Sequence, residues 1–357
     1  MWHSRVLALV LALTFGLSGL QVAQAADPDS DLSLRCLAPG TAGCEYGLPA
    51  FQYEMLRAQM VAHPAPNVRE IAINYREVRR FNFYRVNRAG VTLFSAPGGA
   101  AIGGIDAGFN FVDVMNRQGD WAEIEPNTWV PAAELSPVPA SMHAGVLIDG
   151  PLAYPMAWVL QPTRPSIYPG EEPPEDRPLI ERYTRLNIYA TVNDGEWDWF
   201  LVGPGQWLEQ RRVGRIVPIE PPPEVKGRWI AVDLYEQVLT AYDGTQPVFA
   251  TLISSGLPQW STNEGLFRIW ARLRQDTMSG AMGRPDFYRL PAVPYVMYFD
   301  GDISLHGTYW HDGFCYRHSH GCINLSISDA RWLYEWTSNF FFDTWVHVWS
   351  SGEYKTE

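Results

Sequence analysis

The sequence predicts a mainly β protein: two small repeated barrels, then a larger C-terminal β domain with one or two short helices. Three observations carry this. Thirty glycines and 28 prolines punctuate 357 residues, a composition that favours short strands joined by turns over long helices. Aromatic residues are abundant, at 15 Trp, 17 Tyr and 16 Phe, and such side chains fill cores too small for aliphatics alone. Finally, one pattern of alternating apolar runs broken by glycine occurs twice before a proline-rich break. With 46% hydrophobic and 18% charged residues, a disordered or fibrous chain is excluded, and the length suits two or three domains.

The elements follow in chain order. Arg5, the uncharged apolar run Val6 to Leu20 and the small residues of Ala23-Gln24-Ala25 read as a signal peptide over residues 1–25. Its 15-residue apolar run is shorter than the roughly 20 residues needed to span a bilayer. The expectation is an exported chain, in the periplasm or the extracellular wall, with no transmembrane span after signal removal. Residues 26–82 form an N-terminal segment. Cys36 and Cys44 bracket a turn-rich loop there and are expected to form a disulfide in an oxidising compartment. The helical spacing of apolar residues in Phe51 to Val61 predicts one short helix.

The first repeat is placed at 83–140 and the second at 150–218. Val91-Thr92-Leu93-Phe94 is echoed by Pro165-Ser166-Ile167-Tyr168, Gly119-Asp120-Trp121 by Gly195-Glu196-Trp197, and Asn127-Thr128-Trp129-Val130 by Gly205-Gln206-Trp207-Leu208. Each copy resembles a bacterial SH3-like domain. Trp121, Trp129, Trp197 and Trp207 read first as core and second as a cell-wall peptide or glycan groove. Residues 219–227, opening on Ile219-Glu220-Pro221-Pro222-Pro223, form a stiff linker. A β domain of residues 228–350 follows, with alternating strands from Arg228 and from Val238. Ser326 to Asp329 has capping-box spacing ahead of a helix, and Trp345 to Trp349 closes the domain as a strand.

Charge narrows the partners. There are 27 basic against 39 acidic residues, a net charge of −12, and Lys226 and Lys355 are the two lysines, so no basic run exists to neutralise phosphates and nucleic acid is excluded as a partner. The chemistry concentrates in His306-Gly307 and in Ser319-His320-Gly321-Cys322-Ile323-Asn324-Leu325. A cysteine is a strong nucleophile as thiolate and needs an imidazole in reach to ionise at neutral pH. Gly321 permits a tight turn whose backbone N–H groups, from His320 to Cys322, could stabilise an oxyanion. The positive end of the following helix would lower the thiol pKa if it faced the site.

These residues, with Trp229-Ile230-Ala231-Val232-Asp233, Gln237-Val238-Leu239 and Ser255-Gly256…Thr262, resemble the L,D-transpeptidase family, also called YkuD domains. The resemblance implies that Cys322 attacks the third-residue carbonyl of a peptidoglycan stem peptide, expelling the terminal D-amino acid. An amine of a second stem then resolves the thioester into a 3-3 cross-link. His306 is taken as base, with His320 near enough in sequence to compete. The Gly307 carbonyl would orient His306, His320 and Gly321 would line the oxyanion hole, and Ser319 would hold the loop. Tyr298, Trp310 and Asn324 are candidate substrate contacts. Asn324 stands where the family usually has Arg, and Asn263 where it has Pro. No cofactor is implied.

Rival readings remain. His306, His311, His318, His320, Cys315 and Cys322 could ligate zinc, although neither Cys-x-x-Cys nor His-Glu-x-x-His spacing occurs, so no metal is assigned. Cys315 could bridge Cys322, permanently or as a redox lock, and otherwise reads as a lid-loop residue. His311 and His318 read as solvated. Water in place of the amine would make the enzyme an L,D-carboxypeptidase, and an idle site would leave a non-catalytic cell-wall-binding protein. The oligomeric state is not legible.

Overall fold

The computed structural model describes residues 35–81, 83–284, 286–339 and 343–353; the proposed signal peptide lies outside them. The fold is mainly β. Two seven-stranded sheets pack face to face across the largest core. One runs, in spatial order, Gly265–Arg268, Trp345–Trp349, Arg228–Asp233, Val238–Asp243, Gln246–Leu252, Val146–Leu147, Arg69–Glu70. The other runs Leu135–Pro137, Tyr84–Val86, Phe109–Val112, Tyr288–Asp300, Ile303–Gly307, Ile323–Leu325, with Ala271–Gly280 also paired to Tyr288–Asp300. Ile230, Val232, Val296, Leu305, Ile323 and Val346 are fully buried between them, the continuous apolar character expected of strands covered on both faces.

The helix Ile327–Trp336 starts where the sequence caps it: Ser326 Oγ accepts from the Asp329 N–H at 3.1 Å. Its apolar buried residues are Ile327, Ala330 and Leu333, each three residues from the next, so one face reaches the core. Asp329 is wholly buried and accepts from Gly145 N–H at 2.7 Å and Thr251 Oγ at 2.6 Å. His143 Nε2 contacts the same Thr251 hydroxyl at 3.1 Å.

One long strand begins at Tyr288 and runs through Pro291 and Pro294 to Asp300. The backbone turns left-handed at Ala292 and Tyr295, with φ of 50° and 57°, and such irregularities let a strand carry proline. Its partner Ala271–Gly280, sequence ARLRQDTMSG, lacks apolar alternation and was not expected as a strand.

The two repeated segments share an element order in their second halves. A strand, a 3-10 turn and a strand at Thr128–Pro131, Ala132–Glu134 and Leu135–Pro137 recur at Gln206–Glu209, Gln210–Arg212 and Val213–Arg215, each starting 78 residues later (206 against 128, 210 against 132, 213 against 135). Trp129 and Trp207 are buried, whereas Trp197 lies under the Arg211 guanidinium at 4.3 Å. The first segment is not a separate bead, because Tyr84–Val86, Phe109–Val112 and Leu135–Pro137 belong to the second large sheet.

The N-terminal helix spans Ala50–Ala62. Cys36 and Cys44 are bonded to each other, and Trp207 Nε1 donates to the Tyr46 carbonyl at 2.8 Å, tying that segment to the second repeat. Closing a loop of sequence separation 8 contributes about 2.5 kcal/mol by chain entropy. Replacing both cysteines with alanine should therefore lower the stability of this segment by about that amount, read as a lower urea midpoint for Trp207 fluorescence. An unchanged midpoint would show that the staple restrains little.

Candidate active site

Strands Ile303–Gly307 and Ile323–Leu325 run parallel with Leu305 opposite Ile323 and His306 opposite Asn324. Alternation sends Leu305, Ile323 and Leu325 into the core and leaves Ser304, His306, Cys322 and Asn324 on the other face. Ser304 Oγ lies 3.7 Å from Cys322 Sγ, and the thiol reaches the Asp302 carbonyl at 3.8 Å. His306 and Cys322 line one cavity of about 570 Å³. His306 Nδ1 is 3.1 Å from the Gly307 carbonyl, which can only accept, so Nδ1 carries the proton and Nε2 presents its lone pair.

Burial sets the charge state. It pushes the His306 imidazole down to about 4, against the raising effect of the Gly307 carbonyl. It pushes the Cys322 thiol up, opposed by hydrogen bonding to Ser304. The resting groups are thus a neutral thiol and a neutral imidazole that line one cavity. Alkylation of Cys322 by iodoacetamide should accordingly rise with pH into the alkaline range; a plateau already below pH 7 would reveal a resting thiolate and contradict this.

The Ser319–Cys322 loop is held internally. Gly321 sits at φ +115°, its N–H donates to Ser319 Oγ at 3.0 Å, and Ser319 Oγ in turn donates to the Cys322 carbonyl. Thr262 Oγ1 fixes the Gly321 carbonyl at 2.7 Å. The oxyanion expectation is corrected here: the Gly321 N–H is already occupied, which leaves the His320 and Cys322 N–H groups as donors. The His320 side chain is 3.7 Å from Asp286, its ring between those of Tyr288 and Trp260 at 4.9 and 5.3 Å. Burial lowers the His320 imidazole against the raising effect of the Asp286 carboxylate, which also ties that ring in place.

The remaining candidates sort differently. Trp310 lines the cavity with its ring 5.6 Å from that of His306. Asn324 also lines it, but its amide is 2.9 Å from His311 Nε2. His311 Nδ1 accepts from the Gly313 N–H at 3.1 Å, and its Nε2 lies against Asn324 Nδ2. His311 is therefore a half-buried support stacked 4.4 Å from His318, pushed down to about 3 chiefly by burial, and more enclosed than a solvated loop residue. Tyr298 is not part of the cavity wall: its hydroxyl donates to Asp276 at 2.8 Å. Tyr288 and Leu290 on the same long strand take that place.

Cys315 and Cys322 are both free. Cys315 is no lid residue; it is buried, and its thiol donates to the Glu236 carbonyl at 3.1 Å. Among the described residues no three His, Cys, Asp or Glu side chains gather as a metal site. Asn263, standing where the resemblance expects proline, donates to Asp300 at 2.8 Å, a side-chain tether for that turn. The cavity residues that sequence reasoning missed are Leu257, Met278, Asp286, Tyr288 and Leu290, together with Arg88 and residues 107–109 of the first repeat. Of these, Met278, Tyr288 and Leu290 sit on the hairpin of Ala271–Gly280 and Tyr288–Asp300, the catalytic hairpin, whose irregular pairing no sequence pattern signalled.

The fold and site define a two-sheet β domain that presents a cysteine and a proton-accepting histidine to one cavity. Residues 227–348 match the L,D-transpeptidase catalytic domain family, YkuD. The chain carries an L,D-transpeptidase catalytic domain of that family over those residues. A curated relative, the putative L,D-transpeptidase YciB of Bacillus subtilis (strain 168), is 28% identical over 132 residues, 32% of this chain. The match spans 63% of that relative's length. Among solved structures, an L,D-transpeptidase from Stackebrandtia nassauensis is 27% identical, covering 38% of this chain and 60% of that one at TM-score 0.28. The catalytic domain from the E. faecium L,D-transpeptidase is also 27% identical, covering 35% of this chain and 99% of that one at TM-score 0.31.

Proposed function

We propose that this protein is an exported peptidoglycan L,D-transpeptidase that forms 3-3 cross-links through a Cys322 acyl-enzyme. One observation carries the reading: His306, its Nδ1 proton engaged by the Gly307 carbonyl, shares a sheet face and a cavity with Cys322. His306 Nε2 takes the thiol proton as Sγ attacks the scissile carbonyl, and the imidazolium then protonates the departing D-amino acid amine. The N–H groups of His320 and Cys322 receive the developing oxyanion. The acceptor amine next loses its proton to His306 as it displaces the thiolate and restores the free enzyme.

Export accords with the signal-like residues 1–25 and with the Cys36–Cys44 disulfide, a bond suited to an oxidising compartment. Among the described residues no helix is long and apolar enough to cross a membrane. The two repeats are proposed to be SH3-like modules that accompany the catalytic domain to the wall. The test is intact mass of the purified chain after incubation with a carbapenem and with a stem tetrapeptide. An adduct mapped to Cys322 and a 3-3 dimer are expected. Trimming without dimer would indicate the carboxypeptidase, and absence of any Cys322 adduct would overturn acyl transfer altogether.

A further inference from the structure

We propose that Arg88, carried by the first repeated segment, is a specificity-determining residue that docks a carboxylate of the peptide substrate in the Cys322 cavity. The inference deepens the acyl-transfer reading and rests on it. Arg88, Gly108 and Phe109 line the same cavity as Cys322 and His306, although they precede the catalytic domain by more than a hundred residues.

Their position is built into the backbone. The Gly108 N–H donates to the Arg88 carbonyl at 3.1 Å, and the Phe109 N–H donates to the Phe287 carbonyl at 2.8 Å. Phe109 pairs in parallel with Tyr288 on the catalytic hairpin. A Cβ on Gly108, at φ +156°, would lie 2.5 Å from the Phe287 carbonyl oxygen. Only glycine permits that approach, so the first repeat is set against the hairpin as one wall of the cavity.

Charge then singles out Arg88. Among the described residues lining the cavity, the Arg88 guanidinium is the one permanent cation, and no acidic side chain lies within ion-pair distance of it. The cavity's carboxylate, Asp286, stands beside His320 instead. His306, His318 and His320 are all held below the ordinary imidazole range by burial and add no charge at neutral pH. Met278, Leu257 and Leu290 add apolar wall, and Ser319 and Asn324 neutral polar groups. An arginine at the edge of such a pocket can bind a carboxylate through two parallel hydrogen bonds, and stem peptides carry carboxylates at the terminal D-residue and along the stem.

The experiment measures binding separately from chemistry. In a Cys322→Ala background, calorimetry compares a stem tetrapeptide with two analogues, one bearing a carboxamide at the terminal residue and one bearing it at the second residue. One of the two carboxamides should bind about 10- to 100-fold more weakly than the parent, and which one identifies the docked group. Adding Arg88→Ala should weaken the parent peptide by the same factor and abolish the difference, whereas Arg88→Lys should restore part of it. In the Cys322-containing chain, Arg88→Ala should raise KM for the carboxylate donor with little change in kcat, and leave iodoacetamide labelling of Cys322 unchanged. Discrimination that persists in Arg88→Ala would overturn the proposal. Because the calorimetry needs no turnover, failure of acyl transfer itself would show separately, as no adduct at Cys322.

Discussion

Cys322→Ala should abolish acyl-enzyme formation, and His306→Gln should slow acylation by about 10² to 10⁴-fold while leaving the thiol in place. The two losses differ in kind. Without Sγ no covalent intermediate can form. Without the imidazole, attack depends on the small thiolate fraction of a thiol whose pKa burial has raised. The pH profile separates base from bystander: because the His306 imidazole is pushed down to about 4, it is neutral and able to accept a proton at every pH above that value. The acid limb of kcat/KM should therefore fall near pH 4 in the wild type and vanish in His306→Gln, whose residual rate should instead rise tenfold per pH unit with thiolate. His320→Gln should keep the wild-type limb. An acid limb that survives in His306→Gln and disappears in His320→Gln would transfer the role of base to His320.

The second large effect concerns stability. Asp329 and His143 meet through the Thr251 hydroxyl behind the catalytic strands, both fully buried. Burial raises the Asp329 carboxyl from 3.8 to about 6, opposed by its hydrogen bonds from Thr251 and Gly145. Burial, helped by Arg182 and Arg185, lowers His143 from 6.5 to about 3. Between pH 4 and 6 the native carboxyl therefore holds a proton that the unfolded one lacks, so its contribution to stability falls as pH rises through that window. The unfolded His143 holds a proton that the native one lacks, so its contribution falls as pH drops through the same window. Taken together the two nearly cancel.

Separating the pair should expose each slope. His143→Gln, which can keep the contact to Thr251, should leave Asp329 alone and make stability fall by up to about 3 kcal/mol from pH 4 to 6 relative to wild type. Asp329→Asn, still able to accept from Gly145, should produce a rise of similar size. Urea unfolding at pH 4, 5 and 6 measures both. Parallel curves for the two variants would refute the linked pair. A common background slope is expected in all three proteins, since native His306, His311, His318, His320 and His347 are also lowered by burial and take up protons on unfolding.

Much of the site could be read along the chain because its parts are local. His306 and the carbonyl that orients it are adjacent residues, and the Ser319–Cys322 loop closes on itself through Ser319. The helix cap at Ser326 and Asp329 is equally local. The misreadings involve both near and distant partners. Gly321 N–H looked available for an oxyanion until its bond to Ser319 Oγ was placed, and Cys315 looked like a lid until Glu236, 79 residues away, was seen to cover it. Tyr288 lines the cavity from the strand it shares with Tyr298, and the proline-bearing irregularities of that strand hide its position from the sequence.

By itself, the sequence determined the mainly β class and the position of the L,D-transpeptidase domain, and it proposed a sulfur and an imidazole for its site, because strand alternation, turn chemistry and short motifs act over a few residues. The tertiary structure alone decided that strands of the first repeat join the catalytic sheet and bring Arg88 and Phe109 to the cavity. The pairing of Phe109 with Tyr288 spans 179 positions (288 less 109). Nothing in the local pattern of either strand records such a partner; it is fixed by backbone hydrogen bonds that any sequence can make, and by a glycine small enough to let the two chains touch.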